Sequence, residues 1–302
     1  MRVVQFAEYG GPEVLGVAEV AEPHAGPGQI RIAVRAASVN AIDWKKRSGM
    51  LAEYMPVEFP HVGGYDAAGV VDEVGDGVAG VAVGDEVFGF TVGGQGGMAE
   101  YALLDDVAHK PAAMSWEEAA GYPVATETAM RGLDLLGLVA GQTVVINGGA
   151  GGVGIAAVQF ARERGAAVIA TASERNHDFL RSLGAQATTY GEGLAERVRA
   201  LGGADLALDA AGFGALPDLI EATGSPDNVV TIADGSGPEL GVRVSGGDIT
   251  RALHGLTEAA RLWEAGRFSL PVERAFTFAE AGEAQRLSEA GHVRGKVVLV
   301  PL

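Results

Sequence analysis

A glycine-rich loop in the middle of the chain has the spacing with the most definite chemistry. Residues 147–154 read Asn-Gly-Gly-Ala-Gly-Gly-Val-Gly, in which Gly149, Gly151 and Gly154 satisfy G-x-G-x-x-G. In this pattern the first glycine makes a tight turn, the second lets the backbone approach a diphosphate, and the third allows a helix to pack closely on a strand. The other loop residues expected at the ligand are Ala150, Gly152 and Val153.

The sequence on either side of this loop favours a nucleotide site over an ordinary turn. A short apolar run at Thr143–Ile146 precedes the loop, and a helix-like stretch follows it as far as Gly165. A helix that begins at the loop would present free N–H groups and a favourable dipole to an anion. An ordinary turn in a chain with 46 glycines is the alternative. The order strand, glycine loop, helix predicts a bound dinucleotide.

The end of the next strand indicates which dinucleotide is bound. NAD-binding units usually carry an acid there, which accepts hydrogen bonds from the ribose hydroxyls. Here Ala172 stands at about that place, followed by Ser173 and Arg175. A small residue leaves room for a 2′-phosphate that Ser173 and Arg175 would bind and neutralise, so we predict NADPH. Alternatively, Ser173 only caps the next helix and Arg175 is solvated.

The elements that must position this loop follow from apolar periodicity. Residues 143–266 alternate apolar strand runs with helix-like patterns, which predicts an α/β domain, a Rossmann doubly wound parallel sheet, over 123–267. Residues 1–122 contain short alternating runs between glycine turns, which predicts a β-rich domain. Residues 268–302, with a helix near 279–290 and the final run KVVLVP, are expected to complete that first domain.

Composition excludes several classes of protein. The 302 residues include 39 acidic and 22 basic ones, and the net charge of −17 argues against nucleic-acid and membrane-surface partners. There is no cysteine, so disulfides, thiolate nucleophiles and cysteine-bound metals are excluded. The start lacks a secretory pattern and no apolar run is long enough to span a bilayer. We expect a cytoplasmic protein.

Several motifs together resemble a known family. They are VRAASVNAIDWKKRSG at 34–49, HVGGYDAAGVVDEVG at 61–75, GDEVFGF at 84–90, the glycine loop, and GHVRGKVVLVPL at 291–302. In this order they resemble the medium-chain dehydrogenase/reductase superfamily, and within it the zeta-crystallin or quinone oxidoreductase branch. The resemblance implies a GroES-like catalytic domain built from both chain ends. It also implies a homodimer through a sheet edge near VRVSG, residues 242–246.

The positions that bind zinc in related alcohol dehydrogenases carry other residues here. The resemblance places Asn40 and Tyr65 where those enzymes have Cys and His, and the four-cysteine lobe is absent. Asp43 and Asp66 are the remaining candidates for metal ligands, but two carboxylates alone make a poor zinc site. Turn capping or ion pairing is the reading we favour for them. Their candidate ion-pair partners are Lys45, Lys46 and Arg47. We therefore predict no catalytic metal.

Without a Lewis acid, the substrate must already accept hydride readily. Quinones and α,β-unsaturated carbonyls do so, because the added charge delocalises onto an oxygen. The chain then needs hydrogen-bond donors near that oxygen, and Asn40 and Tyr65 are our catalytic candidates. Asn40 alternatively locks a strand-to-helix corner, and Tyr65 alternatively forms an aromatic wall. An enoyl-thioester reductase and a non-catalytic NADPH-binding sensor or structural protein stay open.

Three further residues are candidates for the nicotinamide side of the site. Thr128 matches the family's threonine beside the nicotinamide, although a hydroxyl bonded back within a helix is the alternative. Ile232 and Ala233 end the run VVTIAD, at the carboxyl edge where open α/β sheets bind ligands. Core packing is the alternative for both.

Overall fold

Strands and helices follow one another along the computed structural model, which describes residues 1–246 and 251–301. The strands are β1 (Arg2–Phe6), β2 (Gly16–Glu19), β3 (Ile30–Val39), β4 (His61–Val62), β5 (Asp66–Val74), β6 (Glu86–Thr91), β7 (Tyr101–His109), β8 (Thr143–Asn147), β9 (Ala167–Thr171), β10 (Gln186–Thr188), β11 (Leu206–Asp209), β12 (Val229–Thr231), β13 (Arg243–Val244), β14 (Val272–Thr277) and β15 (Lys296–Val300). The helices are α1 (Ala41–Arg47), α2 (Trp116–Leu135), α3 (Gly152–Glu163), α4 (His177–Ser182), α5 (Leu194–Ala200), α6 (Leu216–Thr223), α7 (His254–Glu264) and α8 (Ala281–Glu289).

The chain forms two compact units. The first comprises Met1–Val124, Leu256–Glu264 and Leu270–Leu302, and the second comprises Ala125–Gly255 and Ala265–Ser269. The segment Leu256–Glu264, which we expected in the Rossmann domain, therefore groups with the first unit. Pro123, where the sequence pattern changes, lies inside α2 and not in a linker.

The first unit is built around an antiparallel sheet. Its strand order is β14-β15-β3-β5-β6-β7, and β3 also pairs with β7, which closes four of the strands into a barrel. The predicted alternation in β3 is present, because Ile30, Ile32 and Val34 are buried in the barrel core. The two chain ends meet here, since β15 lies beside β3 with Val297 opposite Val39.

The second unit contains the predicted parallel sheet. The order β10-β9-β8-β11-β12-β13 places β8 and β9, which flank the glycine loop and α3, next to each other, and β13 at one edge. All its pairings are parallel. Consecutive parallel strands joined by helices bring the carboxyl ends of the strands to one edge, which positions the site.

Candidate active site

The glycine loop adopts a backbone that only glycine permits at its critical points. Gly148 has φ +83°, and the Gly149 N–H donates to the Thr171 carbonyl at 2.8 Å. A Cβ on Gly154 would lie 2.1 Å from the Gly148 carbonyl oxygen, so any side chain there would push the helix off the loop. The third glycine therefore has the packing role that the sequence predicted.

Gly151, the middle glycine of the motif, has open space around it, and this space shows whether the loop fits a diphosphate. Gly151 is the N-cap of α3, with extended backbone and no capping side chain. A Cβ at Gly151 would meet nothing nearer than the Gly148 carbonyl oxygen at 3.6 Å. The start of α3 is thus bare backbone facing open space, with Gly152 and Val153 as its first helical residues. Unpaired N–H groups at a helix start fit an anionic diphosphate.

A chain of buried polar side chains runs along the carboxyl edge of the parallel sheet. Thr171 Oγ1 donates to Asn147 Oδ1 at 2.7 Å, and Asn147 Nδ2 donates to Asp209 Oδ1 at 2.8 Å. Thr231 Oγ1 donates to Asp209 Oδ2 at 2.7 Å. These four residues end the adjacent strands β9, β8, β11 and β12, and all are buried.

This edge network holds the loops that must surround a cofactor. Thr171 Oγ1 accepts the Gly148 N–H at 3.0 Å, and Asp209 Oδ1 accepts the Gly212 N–H at 2.8 Å. Thr231 Oγ1 accepts the N–H groups of Ala233 and Asp234. Three loops are therefore tied to one hydrogen-bonded chain. Sequence reasoning missed it, although a polar residue at the end of each of four apolar strands was a visible signal.

The residues predicted to select the coenzyme follow β9. Ala172 is buried, Ser173 is half-buried, and Arg175 is exposed in a short 3₁₀ turn at Glu174–Asn176. Ser173 Oγ accepts from Asn176 Nδ2 at 3.3 Å, and its carbonyl accepts the Asn176 N–H. No acidic side chain stands at the end of β9 itself, although the exposed Glu174 lies between Ser173 and Arg175 in the turn that follows.

The three candidates for the nicotinamide side lie in the second unit. Thr128 is half-buried on α2, and its hydroxyl donates to Glu127 Oε2 at 3.2 Å, not to a helix carbonyl. Ile232 and Ala233 lie just beyond β12, which ends at Thr231, and both are half-buried. Thr128 is therefore not bonded back to a helix carbonyl, while the half-burial of Ile232 and Ala233 agrees both with core packing and with a place beside the nicotinamide.

In the first unit, Asn40 and Asp43 form a capping box at the start of α1. The Asn40 N–H donates to Asp43 Oδ2 at 2.7 Å, and Asp43 Oδ1 accepts the Gly64 N–H at 3.2 Å. Asp43 thus caps a turn, as the sequence suggested. Among the described residues, no group of three or more His, Cys, Asp or Glu side chains is arranged to hold a metal ion.

The Asn40 amide is engaged on both sides. Its Nδ2 donates to Ser38 Oγ at 3.1 Å and to Asp66 Oδ1 at 3.0 Å, while its Oδ1 accepts a short hydrogen bond from Lys296 Nζ. Both N–H bonds are used inside the protein, so the geometry favours the corner-locking alternative for Asn40. Direct donation by Asn40 to a substrate stays a prediction.

Asp66 joins this cluster to helix α2. It accepts from Ser38 Oγ at 2.6 Å and from the Val124 N–H at 3.1 Å, directly after Pro123. We expected Asp66 to cap a turn or to pair with Lys45, Lys46 or Arg47. Its cationic neighbour is instead Lys296, which sequence reasoning left out of the site.

Burial controls the charges in this cluster. Burial, as the largest cause, and the negative charge of Asp66 together raise the pKa of Asp43 to about 7, while the Asn40 and Gly64 N–H groups and the Lys296 ammonium oppose this shift. Burial also raises the pKa of Asp66 and lowers the pKa of Lys296, while the attraction between these two groups opposes both shifts. The cluster can therefore exchange a proton near neutral pH.

Tyr65 lies directly before β5 and is half-buried. Its ring packs against the backbone of Gly94, where an added Cβ would lie 2.5 Å from Tyr65 Cε1. The ammonium of Lys46 lies 4.6 Å from the ring centroid. This position agrees with both roles that the sequence left open for Tyr65, an aromatic wall of the site and a proton donor.

A Rossmann sheet with an open glycine loop and a GroES-like barrel define a dinucleotide-dependent dehydrogenase or reductase. The alcohol dehydrogenase GroES-like domain family matches residues 26–112, and the zinc-binding dehydrogenase family matches residues 183–299. The chain belongs to the medium-chain dehydrogenase/reductase superfamily, in its quinone oxidoreductase branch. In the part of the chain that the structure describes, no helix has the length and apolar character to cross a membrane.

Similar proteins are known in bacteria and plants. The chain is 38% identical over 93% of its length to the spectinabilin polyketide synthase system protein NorB of Streptomyces orinoci, of which it spans only 13%. It is 32% identical over its whole length to the chloroplastic NADPH-dependent alkenal/one oxidoreductase of Arabidopsis thaliana, of which it spans 80%. The solved structure of the quinone oxidoreductase from Coxiella burnetii is 33% identical, covers 99% of both chains and has a TM-score of 0.87.

Proposed function

We propose that this chain is an NADPH-dependent reductase that transfers a hydride to a quinone or to an α,β-unsaturated carbonyl compound. The observation that carries the proposal is the open start of α3 at Gly151, combined with the absence of an acid at the end of β9. The 32% identity to an NADPH-dependent alkenal/one oxidoreductase over the whole chain supports it.

The second unit binds and orients the coenzyme in this proposal. The backbone of Gly149–Gly154 holds the diphosphate, while Ser173 and Arg175 bind the 2′-phosphate. Thr128, Ile232 and Ala233 lie beside the nicotinamide, which supplies the hydride. The edge network of Asn147, Thr171, Asp209 and Thr231 keeps these loops at fixed positions.

The first unit supplies the substrate side. Tyr65 donates a proton to the substrate oxygen on which negative charge develops. Asn40 is a positioning residue, because its amide is held by Ser38, Asp66 and Lys296. Only substrates whose added charge delocalises onto oxygen are reduced in this way, so we propose that turnover needs no metal.

The assembly and location are also proposals. Strand β13 is an edge of the parallel sheet, with Arg243 paired to Val230 on one side. An edge strand presents unpaired backbone groups to a second copy of itself, so we propose a homodimer through β13. We keep the cytoplasm as the expected location.

A second candidate is reduction of an enoyl thioester, which is also a conjugated carbonyl. It is favoured by the similarity to segments of polyketide synthases, 38% identical to NorB and 46% identical over 160 residues to GfsB of Streptomyces halstedii. A non-catalytic NADPH-binding protein would keep the coenzyme site and lack turnover.

The test is NADPH oxidation at 340 nm with a panel of quinones, enones, enals and enoyl thioesters, before and after prolonged chelation. We expect turnover with at least one quinone or enone, unchanged by chelation. Tyr65→Phe should lower kcat by about ten- to a thousandfold without weakening NADPH binding. NADPH binding without turnover on any substrate would refute the enzyme. Stoichiometric zinc whose removal abolishes activity would refute metal independence.

A further inference from the structure

Lys46 and Tyr65 form a cation–π pair, and the proposed function assigns a role to Tyr65 but none to Lys46. Lys46 Nζ lies 4.6 Å from the centroid of the Tyr65 ring, and Lys46 is only 8% exposed. Among the residues that the structure describes, the ammonium has one hydrogen-bond partner, the Gly94 carbonyl at 3.5 Å. An ammonium has three N–H donors, and burying it with one long hydrogen bond is unfavourable. The negative face of an aromatic ring compensates part of that loss.

The backbone around this pair keeps the two side chains together. Gly94 has φ +66°, and an added Cβ would lie 2.5 Å from Tyr65 Cε1, so the ring rests directly on this glycine. Lys46 sits one position before the end of α1, whose start is fixed by the Asn40–Asp43 capping box. Ring and ammonium are thus held by separate anchors within the first unit.

Among the described residues, Asp43, His61 and Lys45 are titratable groups close to Lys46 in space or on its helix. Burial lowers the pKa of Lys46, while the carboxyl of Asp43 on the same helix opposes this shift. On β4, burial and the nearby Lys46 ammonium lower the pKa of His61 to about 4, so this imidazole is neutral at pH 7. Lys45 lies over the Trp44 ring, 5.6 Å from its centroid.

We propose that Lys46 is a positioning residue that stabilises the phenolate of Tyr65 and thereby makes Tyr65 an effective proton donor to the substrate. This inference rests on the proposed function. When hydride adds to the β-carbon of an enone, the electron pair of the C=C bond moves through the conjugated system onto the carbonyl oxygen. The Tyr65 hydroxyl gives its proton to that oxygen and keeps the O–H electron pair as a phenolate next to Lys46. Water then returns a proton to Tyr65, and the enol released becomes the saturated ketone.

The experiment is the pH dependence of kcat for enone reduction in the wild type, Lys46→Met and Lys46→Arg. A donor acts only while protonated, so kcat falls at high pH. Removing the cation makes Tyr65 a weaker acid, which should move this fall up by about one pH unit and lower kcat at pH 7 about tenfold. Lys46→Arg retains a charge and should keep the fall near its wild-type position. Lys45→Met, the matched control, removes a neighbouring charge and should not move it.

A substrate-free measurement separates failure of this inference from failure of the proposed function. The ultraviolet absorbance of the phenolate reports Tyr65 directly once the spectrum of Tyr65→Phe is subtracted from the signal of the six tyrosines. The same upward shift in Lys46→Met is expected even if the wild type reduces no substrate in the panel. Lys46→Gln replaces Lys46→Met if circular dichroism shows that the latter is unfolded. An unchanged Tyr65 titration in the charge-free variant would overturn the inference.

Discussion

Asp43, Asp66 and Lys296 place two carboxyl groups and one ammonium in the interior of the first unit, each no more than 5% exposed. Burial and the repulsion between the two carboxylates favour a proton on one of them. Asn40 lies between the charges, with its amide bonded to both Asp66 and Lys296. The cluster therefore holds Asn40, the residue that connects β3 to α1, in a fixed position.

We expect stability to depend on pH through Asp43. Its pKa of about 7 in the folded protein lies above the ordinary value of 3.8, so the folded state binds the proton more tightly than the unfolded state. The favourable contribution of this proton is complete below about pH 4 and is lost as the pH rises towards 7. Asp43→Asn cannot titrate. The free energy of unfolding of the wild type, relative to this variant, should fall by roughly 1–4 kcal/mol between pH 4 and 7.5.

Urea denaturation of both proteins at four or five pH values measures this difference. The absolute stability of Asp43→Asn is not the readout, because the amide replaces one acceptor oxygen by a donor that faces the Asn40 or Gly64 N–H. A difference that stays constant across the range would show that Asp43 is not protonated in the folded protein.

Arg175 is the residue on which coenzyme choice depends. A charge-assisted contact to a 2′-phosphate is worth about 1.5–3 kcal/mol, so Arg175→Ala should weaken NADPH binding about ten- to a hundredfold and leave NADH binding unchanged. The matched control is Arg181→Ala, which removes an exposed arginine on α4 that pairs with Asp178. Fluorescence titrations with both coenzymes measure the effect. Equal wild-type affinities, or an NADPH affinity untouched by Arg175→Ala, would contradict the assignment.

At the scale of elements, the glycine loop shows how much local sequence can predict. The strand, loop and helix form as expected, because each depends on neighbours in the chain: β8 on its apolar run and the turn on Gly148–Gly154. The edge network could not be assigned, because the order of the strands decides which strand ends are adjacent. Asn147 and Asp209 are 62 residues apart and meet only because β8 pairs with β11.

Two alanine substitutions in the loop should separate packing from coenzyme binding. Gly154→Ala puts a Cβ 2.1 Å from the Gly148 carbonyl oxygen, so it should lower thermal stability and NADPH affinity together. Gly151→Ala meets nothing within 3.6 Å of its Cβ, so stability should change little while the methyl group occupies the approach to the diphosphate. Thermal unfolding and NADPH titration measure the two effects. Intact NADPH affinity in Gly151→Ala would argue against a diphosphate at the start of α3.

At the scale of the whole molecule, apolar periodicity predicted the class of fold. It could not predict which distant segments of the chain contact each other. Lys296 begins the apolar run KVVLV and looks like an ordinary strand end, but the pairing of β15 with β3 brings it to Asn40, 256 residues away. The change of sequence pattern near Pro123 suggested a domain boundary there. Inside α2, the next N–H, that of Val124, is instead accepted by the Asp66 carboxylate.

The central claim is that this chain moves a hydride from NADPH to a conjugated substrate. The most direct measurement uses NADPH carrying deuterium at C4 of the nicotinamide, with each C4 position labelled in turn, and an enone that the panel identifies as a substrate. Mass spectrometry of the product should find one deuterium on the β-carbon from one of the two labelled coenzymes. A reduced product whose β-hydrogen comes from solvent, or no reduced product from any quinone or conjugated carbonyl, would contradict the account.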